Sequence, residues 1–237
     1  HFNNPGITQN DGFKPVVRYF DRINRPEQII SSLQQAIQIM LDPADCGPAC
    51  ISLSQDVQGE VYDYPEVFFK ERVHTIRRPK PDDFQIKEAA ELIKKSKKPI
   101  IIAGGGVFYS EATDELSNFA KKHNIPVTQT VMGYSSIKKD HTHYLGTIGG
   151  LGGKAANNLS KETDTAIAIG TKLADFTTGS WANFENPNFK LVSINAARFD
   201  ANKHMAQAIV GDAKVSLMEL SQALGSWKAD DNWHKKS

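Results

Sequence analysis

The run Lys97–Gly106, KKPIIIAGGG, limits the possible folds more than any other stretch, because a short apolar β-branched segment stops on three glycines. Ile100, Ile101 and Ile102 are consecutive rather than alternating, so both faces of the strand need cover, as in a parallel sheet layered between helices. Gly104, Gly105 and Gly106 then allow a tight turn and close approach of a neighbouring backbone or a ligand.

Strand and helix patterns alternate on both sides of this run. Upstream, Ile29, Ile30, Leu33, Ala36, Ile37, Met40 and Leu41 recur at helical spacing between Pro26 and Asp42-Pro43. ACISLS at 49–54 then reads as a strand. Residues 58–83 lose all periodicity and carry Pro65, Pro79 and Pro81, which reads as an inter-domain linker. Helices are expected over 84–96, 111–123, 154–159 and 213–224, and strands over 126–130, 166–169, 191–194 and 208–210. This order predicts an α/β fold with a doubly wound, mainly parallel sheet, whose ligands sit beyond the carboxyl ends of the strands. The strand-end loops are then 104–106, 170–175 and 195–198. Residues 226–237 read as a polar tail or the start of a further linker.

Composition excludes several classes. With 237 residues, 40% hydrophobic and 23% charged, the chain suits one large or two modest cores. A net charge of +1 offers no electrostatic basis for binding nucleic acid or a membrane surface. No apolar run approaches a bilayer span and the start carries no signal-peptide pattern, so a cytoplasmic location is expected. The start at His1, without methionine, reads as an internal piece of a longer protein. Cys46 and Cys50, spaced C-x3-C, fit neither a redox pair nor a zinc ribbon, and Cys50 reads as a small residue in a strand.

The candidate motifs are incomplete. Tyr109 stands where G-x-G-x-x-G needs its last glycine, so Gly104–Gly106 read as a packing turn in preference to a phosphate cradle. The cluster at 146–153, GTIGGLGG, precedes a helix, but Ala155 after Lys154 breaks the P-loop ending, leaving a flexible or close-packing loop. Asn195 ends its strand where an acidic residue would grip a ribose. His141 and His143 have no third metal ligand at suitable spacing and read as a surface loop.

Several segments together, RYFDRINRPEQ, SLSQDVQGEVYDYPEVFF with KERVHTI, KKPIIIAGGGV, GTKLADFTTGSW and VGDAK, resemble the thiamine diphosphate-dependent decarboxylase and acetolactate synthase superfamily. Within it the resemblance is to the hydrolases that open a cyclic dione ring in myo-inositol catabolism. It implies that 1–57 is the end of a pyrimidine-binding domain and 84–225 a Rossmann-like central domain. The first seventy or so residues are then part of a domain whose apolar helix face needs a partner. Thiamine diphosphate and magnesium belong to the full-length enzyme and are not expected on this span, which holds no catalytic residue and no metal ligand. Gly211-Asp212 begins like the magnesium–diphosphate motif of the superfamily, but Ala213 follows, and Asp212 reads as a helix N-cap. In flavin-containing members, loops corresponding to Gly104, Gly105, Gly106, Gly170, Thr171, Lys172 and Asp175 hold FAD, and with Asn195 present bound FAD is not expected. The partners implied are a small cyclic dione, the missing pyrimidine- and diphosphate-binding domains, and further copies in a homo-oligomer. The alternatives are a fragment of an acetolactate synthase-like carboligase and a nucleotide-binding sensor module working through the glycine-ended loops.

Overall fold

The computed structural model describes residues 3–236, so His1 and Phe2 of the opening and Ser237 of the tail lie outside the described residues. The chain divides into two compact units, 1–77 and 78–237.

In the first unit β1 (Tyr19–Ile23) and β2 (Ala49–Leu53) form a two-stranded parallel sheet, joined through α1 (Ile29–Leu41). β1 has no counterpart in the sequence reading, because YFDRI mixes charge and aromatics without a clean period. Cys50 sits in β2 with a free thiol. Residues 58–77, read as linker, form only short 3-10 turns, yet the Tyr64 hydroxyl donates to the Pro26 carbonyl at 3.1 Å and Arg72 to Gln34 at 3.0 Å.

The second unit is built on β3 (Pro99–Ala103), β4 (Val127–Gln129), β5 (Tyr144–Thr147), β6 (Thr165–Ile169), β7 (Lys190–Asn195) and β8 (Gln207–Val210). These strands form one parallel sheet in the order β5-β4-β3-β6-β7-β8, the doubly wound order expected from the alternation. Its helices are α2 (Asp83–Lys94), α3 (Gly105–Tyr109), α4 (Thr113–His123), α5 (Lys154–Glu162), α6 (Asp175–Thr178), α7 (Arg198–Ala201), α8 (Ala213–Leu224) and α9 (Asp231–Lys236).

β3 explains why a continuous apolar run was needed. Ile101 and Ala103 face one core with Ile86 and Ile93 of α2, Phe119 of α4 and Leu217 and Leu220 of α8. Ile100 and Ile102 face the other, with Leu159 of α5 and Trp233 of α9. The three isoleucines are fully buried, each contributing about 1.5–3 kcal/mol of transfer free energy.

Several elements of the second unit differ from the sequence reading. The glycines after β3 open a helix of their own, α3, rather than a loop. The next helix starts at Thr113 instead of Glu111, because Glu111 takes φ 53° and Ala112 turns the chain. The stretch read as a polar tail folds back as α9. Ala229 N–H donates to the His123 carbonyl at 2.9 Å, and the Trp233 indole, 5% exposed, donates to the Pro99 carbonyl at 2.8 Å. Its lysines and aspartates hid an apolar side made of Trp227, Ala229 and Trp233. Among the described residues no helix is long and apolar enough to cross a membrane.

Candidate functional site

In this sheet the strand order reverses between β3 and β6, the switch point at whose carboxyl end doubly wound sheets carry their ligand crevice. Those loops are Gly104–Gly106 and Gly170–Asp175. The structure brings the glycines of both into direct contact. Gly104 N–H donates to the Ile169 carbonyl at 2.8 Å, and Gly106 N–H donates to the Gly170 carbonyl at 2.9 Å. A Cβ on Gly104 would stand 2.3 Å from the Gly170 oxygen and 2.5 Å from Thr171 Cβ. One on Gly106 would stand 2.6 Å from Gly170 Cα, and Gly170 itself takes φ +59°. The amides that could face a phosphate at positions 104 and 106 are thus bonded to the end of β6 and to the loop that follows it.

The remaining loop residues fan outward. Thr171 is buried; its carbonyl accepts from Asn195 Nδ2 at 3.4 Å and its hydroxyl oxygen from Leu173 N–H at 3.2 Å. Asn195 Oδ1 accepts from Ala197 N–H at 3.0 Å, so its amide shapes the loop after β7. Lys172 is exposed and reaches Asp200 only at 4.0 Å, while Lys203 holds Asp200 at 2.6 Å. Asp175 lies further on, exposed at the start of α6.

Sequence reasoning missed a third loop at this crevice. Thr130 N–H donates to the Ala103 carbonyl at 2.9 Å, and a Cβ on Gly133 would stand 2.2 Å from that same oxygen. Its only sequence signal was the glycine three residues after Thr130. The second glycine cluster is a close-packing loop, with Gly150 N–H donating to the Phe176 carbonyl at 2.8 Å. Asn157 grips Gly149 through both backbone groups, at 2.9 and 3.0 Å, and accepts from Asn183 at 3.2 Å. Around the crevice Phe108, Tyr109, Met132 and Phe176 are exposed. A groove of about 730 Å³ lies at the other end of the sheet, between α2 and the starts of β6, β7 and β8, away from these loops.

The carboxylate of the partial Gly211-Asp212 motif is occupied by contacts within the second unit. Asp212 caps α8, accepting from Lys214 and Val215 N–H through Oδ1 at 3.0 and 3.2 Å, and pairs with Arg78 through Oδ2 at 3.2 Å. Both carboxylate oxygens are therefore engaged by the chain. Among the described residues no group of three His, Cys, Asp or Glu could hold a metal ion.

The DHTHY segment departs from the expected surface loop. His143 is 6% exposed, its ring stacked on His234 of α9 with centroids 4.1 Å apart, and His141 lies 5.4 Å away. Burial first, then the neighbouring His234, His141 and Lys121, pushes the His143 pKa down to about 4. Burial likewise lowers the pKa of His123, against the opposing pull of its bond to the Trp227 carbonyl.

Comparison with known proteins agrees with this architecture. Residues 86–220, more than half of the chain, match the family described as "Thiamine pyrophosphate enzyme, central domain". A 3D-(3,5/4)-trihydroxycyclohexane-1,2-dione hydrolase of Clostridium perfringens (strain 13 / Type A) is 50% identical over 221 residues, covering 93% of this chain and 35% of that protein. The protein of that name from Bacillus licheniformis is 47% identical over 224 residues, covering 94% of this chain and 35% of its own length. The chain thus spans about a third of the length of these curated relatives. The crystal structure of benzoylformate decarboxylase from Polynucleobacter necessarius superposes with a TM-score of 0.76 at 21% identity, covering 97% of this chain and 43% of that one.

Proposed function

Since the chain belongs to the thiamine pyrophosphate enzymes through its central domain, we propose that it is the middle part of a hydrolase that opens trihydroxycyclohexane-1,2-dione. The observation carrying this reading is the 50% identity to the Clostridium perfringens hydrolase, which runs through both units instead of stopping at the family domain. The reaction is hydrolysis of a ring C–C bond, giving 5-deoxy-glucuronate as the open-chain product. A thiamine cofactor supplies the electron sink for breaking such a bond, and the protein's task is to bind and orient.

Residues 1–57 are assigned to the end of the pyrimidine-binding domain, 58–83 to a linker and 84–225 to the central domain. Thiamine diphosphate and magnesium are assigned to the remainder of the full-length enzyme, consistent with the engagement of Asp212 by Arg78 and the α8 amides. For Gly104, Gly105, Gly106, Gly170, Thr171, Lys172 and Asp175 we propose a remnant of a nucleotide crevice that now serves packing, supported by the backbone bonds between its two loops. The span itself acts as scaffold and subunit interface in a cytoplasmic homo-oligomer. The exposed Phe108, Tyr109, Met132 and Phe176 support that role, since large apolar side chains left in solvent suit a protein contact.

The test is to incubate the full-length protein, with thiamine diphosphate and magnesium, separately with the cyclic dione and with pyruvate. Ring-opened acid from the dione and no acetolactate from pyruvate is the expected result. Acetolactate without ring opening would replace this reading with the carboligase.

A further inference from the structure

The DHTHY segment and α9 meet in an arrangement that the proposed reaction does not use. Asn124, the left-handed C-cap of α4 at φ 56°, donates through Nδ2 to the Ala229 carbonyl at 3.2 Å and to Asp231 at 2.9 Å. Those two bonds fix the amide and turn its Oδ1 toward His143 Nε2 at 3.2 Å, so that ring nitrogen carries the hydrogen. His143 Nδ1 is then the acceptor for the Thr142 hydroxyl at 3.0 Å. A neutral imidazole therefore satisfies both ring contacts while lying against α9.

We propose that α9 is a histidine-gated latch, docked while the buried His143 ring is neutral and released when acidification charges it. The groups facing the ring from the packed elements are His234 on α9, His141 on its own segment and Lys121 on α4. A proton added to His143 would sit in a buried site with little water to solvate its charge. Asp231, the acidic group nearby on α9, is engaged with Asn124. The other anchor of α9, the Trp233 indole bond to the Pro99 carbonyl, does not titrate.

Burial lowers the His143 pKa from 6.5 to about 4, so the docked state binds fewer protons than the released one. Docking is accordingly complete above the free-histidine value and is lost as pH falls from about 6.5 toward 4. Within that window each pH unit weakens docking by up to about tenfold. Release would uncover the seat of Trp233 against the core face of Ile100 and Leu159.

Amide exchange of the whole chain, corrected for the intrinsic pH dependence, tests the latch at pH 7.5, 6.5 and 5.5. Protection of residues 229–236 should fall about twofold between the first two and about a further fivefold at the last, with residues 99–103 unchanged throughout. Constant protection of 229–236 overturns the proposal. His143→Gln should abolish the pH dependence, and a variant keeping the native slope also overturns it. If that variant does not fold, NMR titration of labelled histidine in the native chain decides: the His143 ring must take up its proton together with the loss of protection.

Discussion

At Gly170 the backbone takes φ +59°, and any Cβ there would meet Gly106 Cα at 2.5 Å. Alanine at this position suffers twice, from the left-handed conformation and from overlap with backbone that cannot swing aside. Gly170→Ala should therefore cost about 2–4 kcal/mol, a fall in melting temperature of roughly 6–12 °C. Gly153, the N-cap of α5, has open space around its Cα and φ −74°. Gly153→Ser should be neutral or stabilise by a few tenths of a kcal/mol. Thermal melts of the two variants give the check, and equal losses would show that contact between the loops is not what position 170 serves. The break in G-x-G-x-x-G at Tyr109 was legible in the sequence. That the glycines abut another loop was not, since the partner lies some sixty residues away.

Among the elements, β3 and α8 were readable because their local signals agree with their surroundings. The triple isoleucine is covered on both faces, and Asp212 accepts from the first amides of α8 as an N-cap should. α9 was not readable, since a six-residue helix with four acidic or basic residues among DNWHKK has little propensity signal. Docking creates it. Trp233→Ala should leave the sheet folded but free α9, raising the cleavage rate of residues 226–236 in limited proteolysis on the order of a hundredfold. Unchanged cleavage would mean that Lys236, paired with Glu162 at 2.5 Å, and the Asn124 bonds hold the helix without the indole. The short edge strand β5 escaped notice for a related reason. YLGT contains a glycine and pairs on one side only, with β4.

At the level of the whole molecule the two units are unequally supplied with core. Among the described residues the first unit buries only Ile23, Pro26, Ala36 and Val57 as apolar side chains, beneath a two-stranded sheet. The second sandwiches six strands between two apolar clusters. Two strands with one helix are marginal alone, so residues 29–53 should exchange their amides at least about a hundred times faster than 99–103 and 165–169. Equal protection in the isolated chain would refute this. By itself the sequence determined the parallel layered sheet, the family and the capping role of Asp212, because each is written in neighbouring residues through periodicity, turn chemistry and motif. Only the tertiary structure decided that the glycine loops close on each other, that His143 is buried and that Trp233 bonds to a carbonyl 134 positions away. Those outcomes depend on which surfaces meet once the sheet is wound, and local sequence carries no record of a partner so distant along the chain.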